Sequence, residues 1–67
     1  MKTQIDKAWK EAKKAVRREM KKSIKEIGGI DESRMHRVAM ETIKKFSPEA
    51  NEELIGNLGW QVWMSVR

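Results

Sequence analysis

Between Lys7 and Lys25, nine of nineteen residues are Lys or Arg, and only Glu11 and Glu19 are acidic. A stretch this charged folds only if its few apolar residues share one side. They do: Ile5, Trp9, Ala12, Val16, Met20, Ile24 and Ile27 recur in steps of three or four, the spacing of one face of an α-helix. Ala8 and Ala15 widen the stripe. Thr3 is placed to cap this helix, with Asp6 three residues on in a variant of the capping-box spacing. Gly28-Gly29 ends it, because glycine takes the left-handed C-cap conformation at little cost. The predicted helix has about 24 residues and is roughly 36 Å long.

On a wheel of about 100° per residue, Lys7, Lys10, Lys14, Arg17, Arg18, Lys21 and Lys25 fill the arc opposite the apolar stripe. Glu19 and Glu26 fall at its alanine edge, and Glu11 at the margin of the basic arc. Six like-charge pairs stand at i,i+4: Lys10/Lys14, Lys13/Arg17, Lys14/Arg18, Arg17/Lys21, Arg18/Lys22 and Lys21/Lys25. Each opposes an isolated helix by about 0.2–0.5 kcal/mol, so the six together cost roughly 1–3 kcal/mol. Selection for folding alone would alternate the signs. The arrangement therefore reads as an interaction face, against the plainer reading of a solvated one.

Charge is unevenly placed along the chain. Residues 1–27 hold ten cations and four acids, a net of +6, and residues 28–67 hold five cations and six acids, a net of −1. That asymmetry points to an anionic partner for the first half.

A second helix begins at Asp31, a good N-cap, with Glu32 in its first turn and Ile30 and Met35 at the spacing of a hydrophobic staple. Its inner face is Met35, Val38, Ala39, Thr42, Ile43 and Phe46, with His36 at the edge. Arg34, Arg37, Glu41 and Lys44 are expected to point away. Ser47-Pro48-Glu49 then predicts a third helix starting at Pro48, with Ser47 as its N-cap and Glu49, Glu52 and Glu53 suiting the positive end of the helix dipole.

The third helix is hard to end. Leu54 to Val66 is the longest uncharged run, 13 residues. Leu54, Ile55, Leu58, Val62 and Val66 form one broad stripe, while Trp60, Trp63 and Met64 fall outside it. A helix apolar nearly all round needs a second buried side, for which a dimer interface through Trp60, Trp63 and Met64 is the candidate. A break near residues 57–59, or a strand over 60–66, is the alternative; a lone strand would have no partner. A helix continuing to about Ser65 is the preferred reading.

The expected fold is thus all-α: one domain over residues 1–67, with a long basic first helix and two shorter helices, completed by oligomerisation. A chain of this size buries a modest share of its surface and gains from a partner. With no cysteine and one histidine, neither a disulfide nor a metal site is expected, and no cofactor. Ser23, Ser33, Ser47 and Ser65 sit in no nucleophile pattern, Gly28-Gly29 lacks the context of a phosphate loop, and so short a chain leaves little surface for a substrate pocket. A non-enzyme is expected. No run is long enough to span a membrane, since about 20 apolar residues are needed. Residues 1–6 do not resemble a secretory leader, and a cytoplasmic protein is the default. Helix 1 is also a poor match for a membrane surface, because Glu19, Ser23 and Glu26 punctuate its apolar stripe.

Binding remains. Nucleic acid suits the basic arc, because neutralising phosphates releases counterions. The arc is Lys-dominated and carries no Asn or Gln, so base readout is not expected, and no established DNA-binding motif is present. The alternative is a protein-interaction module, an inhibitor or adaptor, using the basic face on an acidic surface or Trp60 and Trp63 on a hydrophobic one.

Overall fold

The computed structural model describes residues 4–67, and within them the chain forms three α-helices: α1 (Gln4–Ile27), α2 (Glu32–Phe46) and α3 (Glu52–Val66). The all-α three-helix architecture expected from the sequence is present, with α1 at its predicted length of 24 residues. The Thr3 cap lies outside the described residues. The molecule measures 40 × 20 × 17 Å, its long axis matching the roughly 36 Å of a helix the length of α1.

Each boundary has a local cause. α1 stops at Gly28, whose φ of 73° is left-handed and whose N–H still donates to the Ile24 carbonyl at 2.9 Å. The Ser23 hydroxyl donates to the Gly29 carbonyl at 2.6 Å, tying the connection back onto the helix. α2 begins on Asp31, whose Oδ1 accepts from the backbone N–H of Ser33 at 3.0 Å and of Arg34 at 3.4 Å.

The start of the third helix differs from expectation. Ser47 closes α2, donating its N–H to the Ile43 carbonyl at 2.8 Å, and Pro48 lacks the N–H needed to continue that helix. Residues 47–50 form a turn, with the Ala50 N–H donating to the Ser47 carbonyl at 3.1 Å. Asn51 is the true N-cap of α3, and its Oδ1 accepts from the Leu54 N–H at 2.7 Å. Asn caps as well as Ser does, and here it outcompetes the Ser-Pro signal. From Glu52 the helix runs unbroken through Gly56 and Gly59 to Val66.

The contacts set the directions. Lys7 of α1 reaches Phe46 at the end of α2, and Arg34 near the start of α2 reaches Glu26 near the end of α1, so the two are antiparallel. His36 stacks on Trp60 and Glu32 approaches Arg67, so α3 runs antiparallel to α2 and alongside α1. The core between them is Ala8, Ala12 and Val16 of α1, Met35, Ala39 and Ile43 of α2, and Ile55, Val62 and Trp63 of α3. Trp9, Met20, Val38, Phe46, Leu58 and Val66 pack against it half-buried.

Two expectations about faces are corrected. Ile24 and Ile27, read as the end of the α1 core stripe, are 52% and 63% exposed. Successive four-residue steps from Ala12 through Val16 and Met20 each overshoot a helical turn by about 40°, which carries Ile24 out of the core, and Ser23 is buried instead. Ile27 lies on the same bearing as half-buried Trp9, about five whole turns away, and is exposed as the last residue of the helix. Arg34 does not point away. It turns back onto α1, where its guanidinium donates to the Glu19 carboxylate and, at 2.9 Å, to Glu26 Oε1.

Candidate binding surfaces

α1 buries one edge completely at Ala8, Ala12, Val16 and Ser23, which leaves its opposite side to solvent. All seven predicted cations lie there: Lys7, Lys10, Lys14, Arg17, Arg18, Lys21 and Lys25 are exposed, as is Lys22. From Lys7 to Lys25 the row is about 27 Å long. Lys14 Nζ stands 3.7 Å from Glu11 Oε2, an exposed pair of the kind that contributes little. Lys7 Nζ lies 5.6 Å from the centre of the Phe46 ring, a weak cation–π contact. Among the described residues, the other five have no carboxylate within salt-bridge distance.

Arg34 strengthens this segregation. Hydrogen bonds to Glu26 and then Glu19 hold its guanidinium above its ordinary pKa, because the positive form is the one these carboxylates stabilise. Both acids at the alanine edge of α1 are thereby occupied by a cation from α2. They are withheld from the lysines of the outer face. Lys21, Lys22 and Lys25 surround the exposed Ile24 in a shallow depression of about 400 Å³, so the basic face also carries an apolar spot.

The second surface lies on α3. Trp60 is 43% exposed and Met64 61% exposed. The Trp60 ring stacks on His36 with centroids 4.1 Å apart and planes inclined by 15°. His36 Nε2 lies 3.0 Å from the Gly56 carbonyl oxygen, which fixes the imidazole as a platform for the indole. Of the three residues expected at an interface, Trp60 and Met64 are exposed and Trp63 is not. At 4% exposure it belongs to the core of this chain, and its indole N–H finds no partner there. Gly59 explains its position. A Cβ on Gly59 would sit 2.9 Å from Met40 Cγ and 3.0 Å from His36 Cδ2, so α2 and α3 approach closely there and Trp63, one turn on, is enclosed. Leu54, read as part of the inner stripe, is 38% exposed.

An open groove of about 670 Å³ runs between α2 and α3, more concavity than the chain length suggested. Its floor is His36, Met40 and Ile55, and its rim mixes Arg37 and Lys44 with Glu41 and Glu52. Rim charges of both signs give it no preference for an anion or a cation. Among the described residues, no group of three or more His, Asp or Glu is placed to hold a metal ion, and no helix is long and apolar enough to cross a membrane.

In comparisons with known protein families, characterised proteins and solved structures, nothing matches this chain.

Proposed function

We propose that the protein is a small non-enzymatic binding module that engages nucleic acid through the outer face of α1. The observation that carries the reading is the exposed row Lys7, Lys10, Lys14, Arg17, Arg18, Lys21 and Lys25, held on one rigid helix while the acids Glu19 and Glu26 are tied to Arg34. A rigid row of cations matches a phosphate backbone, whose charges repeat along a line, and binding releases the counterions condensed there. Lys point charges with no Asn or Gln among them favour the backbone over base edges. The recognition is therefore of charge and shape, with little sequence preference. A cytoplasmic location belongs to the same proposal, because nucleic acid is met there.

Titration of a generic duplex at several salt concentrations tests this. With four to seven phosphates neutralised, log affinity should fall against log salt with a slope of roughly −4 to −6. Lys14→Glu combined with Arg18→Glu should reduce that slope by about 2 and weaken all sequences alike. No duplex binding at low salt would dismiss the reading.

A second reading, a protein-interaction module acting as inhibitor or adaptor, is favoured by the exposed Trp60 and Met64. It predicts a partner lost on changing α3 and retained on changing α1.

A further inference from the structure

The outward side of α3 carries a stripe with its own internal logic. Glu53, Gly56, Trp60, Met64 and Arg67 follow one another at steps of three and four, and such residues stack along one side of a helix. Glu53, Trp60, Met64 and Arg67 are exposed and Gly56 is half-buried. No charge interrupts residues 54–66, although 37% of the chain is charged. The acid Glu53 and the base Arg67 at the two ends of the stripe balance, so it offers a phosphate backbone no net attraction.

Gly56 adds a second observation. Glycine within a helix lowers its stability relative to alanine, and a close neighbour is the usual justification. Gly59 has one in Met40 and His36; Gly56 has nothing within 4 Å of where a Cβ would stand. The space beside Gly56 is open within the single chain.

The order of residues along the stripe supplies the third observation. Counting outward from Trp60, Gly56 and Met64 stand four residues to either side, and Glu53 and Arg67 seven residues to either side. A gap on one side is matched by a flexible apolar side chain on the other, and an acid by a base. A two-fold interface needs this self-complementarity, because each copy must offer both halves of every contact.

We propose that this stripe is the contact of a symmetric homodimer, with α3 packed antiparallel on α3 of a second copy and crossing it at Trp60. In that register Met64 enters the gap over the partner's Gly56, Glu53 meets the partner's Arg67, and the two Trp60 rings meet near the axis. Asn57 and Gln61, both exposed, supply a neutral polar rim. Arg67 is within 3.8 Å of Glu32 in its own chain, but that pair is 54% and 59% exposed. Such an exposed pair holds weakly, and Arg67 can exchange it for Glu53 of the second copy. The stripe shares no residue with the basic face of α1, so the dimer stands or falls independently of nucleic-acid binding.

One helix per copy makes a small interface, at the low end of specific contacts below about 1,200 Å², so the dimer should be weak and populated in the micromolar range. Sedimentation equilibrium from roughly 10 µM to 1 mM, a span that brackets such affinities, should show the mass rising from the 7.9 kDa of one chain toward twice that value. Gly56→Ala should stabilise the dilute monomer against urea while weakening the dimer several-fold, since the new methyl occupies the gap meant for Met64. A merely structural role for Gly56 would not split those two readouts. Glu53→Arg should weaken the dimer roughly three- to tenfold by turning two attractive contacts repulsive, and Glu53→Arg with Arg67→Glu should restore it. A protein monomeric across the whole range overturns the proposal. So does a dimer indifferent to Gly56→Ala and Glu53→Arg, which would place the contact on another face.

Discussion

Gly59 and Arg34 hold this molecule together in ways that hydropathy does not register. Gly59 has no side chain, yet it sits at the closest approach of α2 and α3, against Met40 and His36. The His36 ring has little room to give, being stacked on Trp60 and directed at the Gly56 carbonyl. Gly59→Ala should therefore destabilise the fold by about 1 kcal/mol net. Overpacking costs about 1–3 kcal/mol, and about 1 kcal/mol is returned by the better helix propensity of alanine. Urea denaturation measures the difference directly, and a gain in stability would show that the two helices have room to separate. The same glycine explains why Trp63, an interface candidate by sequence, lies in the core. Drawing the apolar stripe of α3 through Leu54 and Leu58 rotates it away from Gly59, the position around which the buried side is centred. Arg34 presents the matching problem in polar form: it sits among residues that face solvent, and only the presence of Glu19 and Glu26 across the interface turns it inward.

At the level of elements, three helices, the Asp31 cap and the Gly28 stop were legible because each depends on chemistry within a few residues. What was not legible depends on rotation or competition. The α1 stripe keeps helical spacing to Ile27, but its run of four-residue steps carries Ile24 round to 52% exposure, and Ile27, the last residue of the helix, is 63% exposed. Ser47-Pro48 and Asn51 are both good start signals, and nothing local decides between them; Ser47 is claimed by the end of α2, which leaves Asn51 to cap α3. The exposure of Ile27 makes a contrast that can be measured. Ile27→Lys should change stability by no more than about 0.5 kcal/mol, as exposed substitutions do. Met35→Ala, at a side chain with no exposure, should cost about 2–5 kcal/mol. A chain of this size is stable by only about 3–10 kcal/mol, so the second change threatens folding at room temperature. A large loss at Ile27 in dilute protein would mean that the end of α1 is covered in the folded chain.

For the whole molecule, the basic face sets stability against binding. The like charges along α1 repel one another in the free protein, and among the described residues only Lys14 of Lys10, Lys14, Arg17, Arg18, Lys21 and Lys25 is within reach of a carboxylate. Salt screens that repulsion, and salt also weakens phosphate binding. Raising salt should therefore stabilise the free protein while loosening its complex with a duplex. Arg18→Glu should act in the same two directions by charge alone. It converts the repulsive Lys14/Arg18 and Arg18/Lys22 pairs into attractive ones, a gain of roughly 1 kcal/mol at low salt. It also deletes one cation from the binding row. Thermal melts at low and high salt check the first half: the variant should melt above the parent at low salt, and the gap should close as salt rises. Duplex titration checks the second half, where the variant should bind more weakly and with a shallower salt slope. A variant that is both more stable and an equal binder would mean that the cations of α1 serve only solvation. A variant of unchanged stability would mean that the crowded charges are already relaxed by side-chain freedom, and that the cost assigned to the row is too high.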